Sequence, residues 1–169
     1  MRLCVLAALV GGAAPRDREG ARPAGARRRR LSDSATFKLL ATRTASDAAP
    51  LRNYGFAVAV DDDTIMTGAA GCDPALNALC PIIIGSVYVL RASDGEELAK
   101  LSASDGAAGN FFGESLAIDG GTVVVGARGD NTVTGAAYVF RTTDGWDTYV
   151  EVAKLTALDG AYEDLFGQS

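Results

Sequence analysis

The chain has 169 residues, a formal net charge of −5 and no histidine. Residues 1–30 hold eight of the sixteen basic residues and only two acids, so residues 31–169 carry a net charge of −11. An acidic body cannot displace counterions from phosphates, which excludes a nucleic-acid partner and leaves cations or basic surfaces. Without histidine there is no Ser-His-Asp or Cys-His centre and no His-ligated metal.

Met1-Arg2-Leu3 opens with a positive charge, and Cys4–Ala14 is an apolar run ending in small residues. That is the pattern of a secretory signal, and the run is too short to span a bilayer. Residues 1–14 are therefore read as a signal peptide and the protein as secreted or extracellular. The competing readings are an organelle-targeting segment and a misplaced start. Residues 15–36 form a basic linker with almost no large apolar side chain, predicted to be disordered. Its run Arg27–Arg30 is either a solvated charge run or a processing site for a basic-specific protease. No later stretch is long and apolar enough for a transmembrane helix.

From Phe37 the chain repeats itself. Tyr54-Gly55-Phe56-Ala57-Val58-Ala59-Val60-Asp61 recurs as Phe112-Gly113-Glu114-Ser115-Leu116-Ala117-Ile118-Asp119, and a third copy begins at Phe166-Gly167-Gln168-Ser169. Ala99-Lys100-Leu101-Ser102-Ala103-Ser104-Asp105-Gly106 recurs from Ala153 to Gly160, and Gly85–Arg91 recurs as Gly135–Arg141. The first copy has a longer loop, which holds Cys72 and Cys80. In an oxidising compartment these two are predicted to pair as a disulfide; the competing reading is two free thiols lining an apolar loop. The units are residues 37–98, residues 99–152 and the start of a third, residues 153–169.

Each unit reads as four short strands, in the second copy near 115–119, 122–127, 135–140 and 149–156, with no helical period after residue 35. Asp119-Gly120-Gly121 is a tight hairpin signal, and Asp61-Asp62-Asp63 fills its place in the first copy. The first two runs of each unit are nearly all apolar, which predicts inner strands covered on both faces. The predicted fold is all-β: tandem four-stranded antiparallel blades, a partial β-propeller of about two blades.

These elements together resemble the FG-GAP repeat, the family that includes the N-terminal β-propeller of integrin α subunits. Phe112-Gly113 matches its "FG" element and Val125-Gly126-Ala127 its "GAP" element, with Arg128 in place of proline. Tyr54-Gly55 and Thr67-Gly68-Ala69 match in the first copy, with Ala70 in place of proline. Propellers of this family usually have about seven blades. The expectation is either a fragment of a longer array or a small protein that closes its ring by self-association.

The resemblance implies calcium as the cofactor to look for, held in an Asp-x-Asp-x-Asp-Gly hairpin. Calcium takes six to eight oxygens, hence alternating carboxylates on a tight turn. The equivalent turns here, Asp61-Asp62-Asp63-Thr64 and Asp119-Gly120-Gly121-Thr122, lack that alternation. A second candidate set is the inter-repeat loop, with Asp105, Asn110 and Asp130 as metal ligands; the competing reading makes these Asp and Asn residues turn formers. Arg128-Gly129-Asp130 spells the tripeptide that integrins recognise, although the repeat pattern itself wants Gly-Asp there. Trp146 would stack on a sugar or pack between blades. Nearly every acid falls on a turn or an exposed strand face, and no carboxylate pair stands out as catalytic acid and base. The sequence reads as a non-enzymatic extracellular module for protein or glycan binding or adhesion. The alternatives are an accessory propeller domain of a secreted enzyme and a truncated fragment without independent function.

Overall fold

The computed structural model describes residues 42–47, 52–71, 84–145 and 147–169. The leader, the basic linker, the Cys72–Cys80 loop and Trp146 lie outside the described residues. Among those described, eight strands form two four-stranded antiparallel sheets. The first is β1 (Tyr54–Asp61), β2 (Thr64–Ala69), β3 (Ser86–Arg91) and β4 (Glu97–Leu101). The second is β5 (Leu116–Asp119), β6 (Thr122–Ala127), β7 (Ala136–Thr142) and β8 (Tyr149–Leu155). Both sheets are meanders in which each strand pairs with the next along the chain.

The hairpin turns follow from their residues. Gly120 and Gly121 take φ of 50° and 82°, the left-handed pair that a two-residue hairpin needs. In the first sheet Asp62 supplies the left-handed turn with φ 47°, a conformation that Asp tolerates better than most residues.

The sequence expectation of two covered inner strands per unit needs correcting. Sequential pairing places β1 and β5 at a sheet edge, and only β2, β3, β6 and β7 are flanked on both sides. Phe56, Val58 and Val60 on β1 are accordingly exposed, while all six residues of β2 are buried.

The two sheets share one core. Met66, Val87, Val89 and Leu101 of the first pack with Val123, Val125, Ala127, Ala136, Tyr138 and Phe140 of the second, around Phe112. The register explains the second sheet's contribution: Val123 faces Phe140, Val125 faces Tyr138 and Ala127 faces Ala136 across the β6–β7 ladder, so all six project from one face. On the opposite face of the first sheet Tyr88, Ala69 and Tyr54 pack against Ala45. Residues 42–47 take the place there that residues 100–105 take against the second sheet. Ser46 donates to the Glu97 carboxylate through N and Oγ (3.1 and 2.8 Å), and Ser104 donates to Glu151 in the same way (2.9 and 2.8 Å).

The element α1 (Asp130–Val133) is a single turn whose Asn131, Thr132 and Val133 have φ of 48°, 55° and 69°. It is a left-handed turn rather than an α-helix. The absence of a helical period in the sequence agrees with this.

Candidate functional site

The contact between successive repeats is built from the aromatic-Gly pair. Gly55, Gly113 and Gly167 have φ of 85°, 92° and 84°, and the residue two before each, Asn53, Phe111 and Leu165, is also left-handed. This shared kink sends the Phe112-Gly113 backbone onto two glycines of the preceding sheet. A Cβ built on Gly68 would overlap the Gly113 carbonyl oxygen, and one on Gly85 would overlap that of Phe112. The third copy repeats the seat: Gly126 lies under the Gly167 carbonyl and Gly135 under that of Phe166. Phe166 N donates to Thr134 O (2.9 Å) and Ser115 Oγ to Gly167 O (2.9 Å). The Phe112 ring turns into its own sheet and meets Tyr138 and Phe140 edge-on, with centroids 5.5 and 5.9 Å apart. Tyr54 meets Tyr88 at 5.3 Å in the same manner.

Geometry therefore explains the sequence pattern. The glycine of each "GAP" element must lack a side chain because the next repeat's "FG" backbone lies on it. Residues 95–140 match the FG-GAP repeat family. The chain carries an FG-GAP repeat over this stretch. No curated protein matches it.

Each of the two sheets also carries a polar pocket, and in the second the structure brings together the three residues predicted as metal ligands. Asn110 Nδ2 donates to Asp130 Oδ1 (2.8 Å), and Tyr138 Oη donates to Asp105 Oδ1 (2.6 Å) and Asp130 Oδ2 (3.2 Å). Lys154 Nζ donates to Asp105 Oδ2 (2.6 Å), forms an ion pair with Asp130, and lies 5.2 Å from the centre of the Tyr138 ring. The first repeat has the same arrangement. Lys100 Nζ donates to Asp47 Oδ2 (2.6 Å), Tyr88 Oη donates to Asp47 Oδ1, and Arg52 lies 3.7 Å from Asp47. Gly71 N to Arg52 O and Gly129 N to Asn110 O are equivalent bonds, of 3.2 and 3.1 Å. They equate Arg52 with Asn110, and the counterpart of Asp130 falls on Cys72, outside the described residues.

Fit to calcium fails on the donor set. Among the described residues no three His, Cys, Asp or Glu side chains gather at one point. In the hairpins, Asp61 Oδ2 accepts from Gly120 N (2.9 Å) and Asp63 Oδ2 from Ser93 Oγ (3.0 Å), so those carboxylates serve neighbouring turns. In the pocket an ammonium already stands between the two carboxylates.

Sequence reasoning missed Lys154, Tyr138, Lys100 and Tyr88 as members of these pockets. The signal was present, because an Asp, a Tyr and a Lys recur in each repeat at matching positions. It also missed that two acids are hidden. Asp130 is 6% exposed. Glu114, facing Arg128 at 2.8 Å, has a side chain exposed by only 9%. Burial pushes the Glu114 carboxyl above its ordinary range, against the opposing pull of Arg128. Arg128 also covers the Phe111 ring, 4.6 Å from its centre. The Arg-Gly-Asp tripeptide thus has its aspartate inside the protein, and its arginine side chain engaged by Glu114 and Phe111.

The pockets give the fold a pH dependence. The hydrogen bonds from Lys100 and then Tyr88 hold Asp47 down at about 2, and those from Lys154 and then Tyr138 lower Asp105. A depressed carboxylate stabilises the folded state above its unfolded value, near 4, and that contribution is lost as pH falls through the folded value. Glu114 acts in the opposite sense, since its raised value favours the folded state as it takes up a proton. Glu114 takes up its proton above the ordinary carboxylate range, whereas the lowered carboxylates, Asp47, Asp105 and the exposed Asp94 and Asp144, titrate below it, so the net effect at low pH is a loss. The urea midpoint of the chain is expected to fall between about pH 4 and pH 2, and to fall less steeply in Asp47→Asn.

Proposed function

We propose that this chain is a non-enzymatic extracellular repeat module that binds a protein partner through a basic surface on that partner. The observation that carries the reading is an acidic rim running along one end of both sheets. Asp62 and Asp63 of the β1–β2 turn and Asp94 and Glu96 of the β3–β4 turn are exposed there, as are Asp119 beside the β5–β6 turn and Asp144 and Asp147 between β7 and β8. The bond from Gly120 N to Asp61 joins the two hairpins, so the rim is continuous. Arg91 pairs with Asp94 and Glu96 at the surface, and Arg43 donates to the Asp94 and Gly95 carbonyls (2.6 and 3.2 Å). Exposed carboxylates on a rigid scaffold attract and orient a cationic surface. They repel acidic glycans, which favours protein over that class of sugar.

The reading is non-enzymatic because Asp105, Asp130 and Glu114, the acids nearest the inter-repeat pocket, are all engaged by cations of the chain. The extracellular placement rests on the leader pattern of residues 1–14 and on the family. No helix among the described residues is long and apolar enough to cross a membrane.

The test is binding of the full chain to immobilised polylysine and to a panel of neutral and sulfated glycans over a range of salt. Salt-sensitive binding to polylysine is expected, weakened roughly tenfold in the triple variant Asp62→Asn, Asp119→Asn, Asp147→Asn. Salt-insensitive capture by a glycan, unchanged in the triple variant, would overturn the reading.

A further inference from the structure

We infer that Lys154 is the resident cation of the inter-repeat pocket, a covalently attached ammonium in the place where the surrounding oxygens would otherwise call for a metal ion. The pocket has the anatomy of a cation site. Asp105 Oδ1 and Oδ2, Asp130 Oδ1 and Oδ2 and the Tyr138 hydroxyl converge from three segments that are far apart in the chain. Asp130 is buried, and a buried carboxylate needs a compensating charge.

The compensation comes from the chain. An ammonium has three donors and no acceptor. Lys154 directs its charge at one oxygen of each aspartate and lies against the Tyr138 ring, so hydrogen bonds and the ring face together account for it. The remaining carboxylate oxygens are taken as well, Asp105 Oδ1 by Tyr138 and Asp130 Oδ1 by Asn110. Burial alone would lower the Lys154 ammonium, but the bonds it donates to Asp105 and Asp130 outweigh it and hold the group above the ordinary lysine range.

The first repeat supports the assignment independently. Among the described residues its pocket holds Asp47, with Lys100 on it and Arg52 near it. Arg52 stands where the second repeat has Asn110, and the lysine is present in both. Among the described residues the lysine, with one aspartate and one tyrosine, is thus common to both pockets. A divalent ion would have to displace an ammonium that cannot leave, only swing out, and would compete with a donor already on each carboxylate oxygen.

The function of the pocket is then to fasten the loop that begins one repeat (Asp105, Asn110) to the strand β8 and the turn at Asp130 of the same blade without dependence on metal. The test is thermal unfolding of the full chain with millimolar calcium and with excess chelator. The wild-type midpoint is expected to be the same in both. Lys154→Met leaves Asp105 and Asp130 facing each other uncompensated, so its midpoint is expected about 10 °C lower in chelator and partly restored by calcium. Lys154→Arg keeps a cation and is expected to stay insensitive to calcium. Calcium stabilisation of the wild type would overturn the inference whatever the variants do. So would a Lys154→Met protein that folds with the wild-type midpoint or shows no response to calcium.

Discussion

Replacing Phe112 with alanine is expected to lower the stability of the folded chain by about 4 kcal/mol, a drop of about 15 °C in its melting midpoint. Phe112 is 1% exposed and sits where the two sheets meet. Its ring is held edge-on by Tyr138 and Phe140, and the core around it draws on Met66, Val87 and Val89 of the other sheet. Truncation removes the ring's burial and leaves a cavity lined by two aromatic residues and the β3 valines, which the surrounding ladders cannot close without moving. Phe56 provides the contrast. It lies two residues after Tyr54 on edge strand β1 and is 55% exposed, so Phe56→Ala is expected to change stability by less than about 0.5 kcal/mol. Thermal melts of the two variants side by side check both values. Equal losses would mean that the shared core is not where the stability lies.

The second large effect is expected from Gly68→Ala, a change of one methyl group. The added Cβ would overlap the carbonyl oxygen of Gly113, a backbone atom in a turn whose own N–H is held by Gly126 O (3.0 Å), so it cannot swing aside as a side chain could. The two sheets must separate locally or the β2 backbone must shift, at a cost of about 3 kcal/mol or more. Gly126→Ala is sterically similar but is expected to be milder. There the carbonyl belongs to Gly167 in the short, largely exposed segment of residues 161–169, and the other obstacle is the Ser115 hydroxyl, which can turn. Urea denaturation of the two variants should rank Gly68→Ala well below Gly126→Ala. The reverse order would place the main contact at the third repeat instead of between the sheets.

Much of this architecture was legible in the residues. Repetition of Tyr-Gly, Phe-Gly and Phe-Gly with Asp turns at fixed spacing gave the unit. Short β-branched and aromatic runs bounded by turn residues placed strands at 115–119, 122–127, 135–140 and 149–156, against observed strands Leu116–Asp119, Thr122–Ala127, Ala136–Thr142 and Tyr149–Leu155. Strand burial was less legible, because Phe56, Val58 and Val60 are as apolar as β2 and only the order of strands in the sheet shows that they lie at an edge. The convergence of Asp105, Asn110 and Asp130 was legible from the repeat, since equivalent loops stack. The partner that neutralises them was not. Lys154 comes from β8, and a cation on a predicted exposed strand gives no sign that its ammonium reaches back across the Tyr138 ring. Nor does an Arg-Gly-Asp tripeptide show whether its aspartate points outward. That depends on the left-handed turn Asn131–Val133, which composition does not reveal because Thr and Val rarely adopt that conformation.

Successive repeats form one cooperative unit because the second repeat's Phe112-Gly113 backbone seats on Gly68 and Gly85 of the first. Residue-resolved hydrogen exchange of the full chain tests it most directly. If the repeats are one unit, the amides of Thr64–Ala69 in β2 and Thr122–Ala127 in β6 open with the same free energy and the same denaturant dependence. If β6 retains its protection while β2 opens at a lower free energy, or the converse, the sheets fold independently and the seat between them is not what holds the structure together.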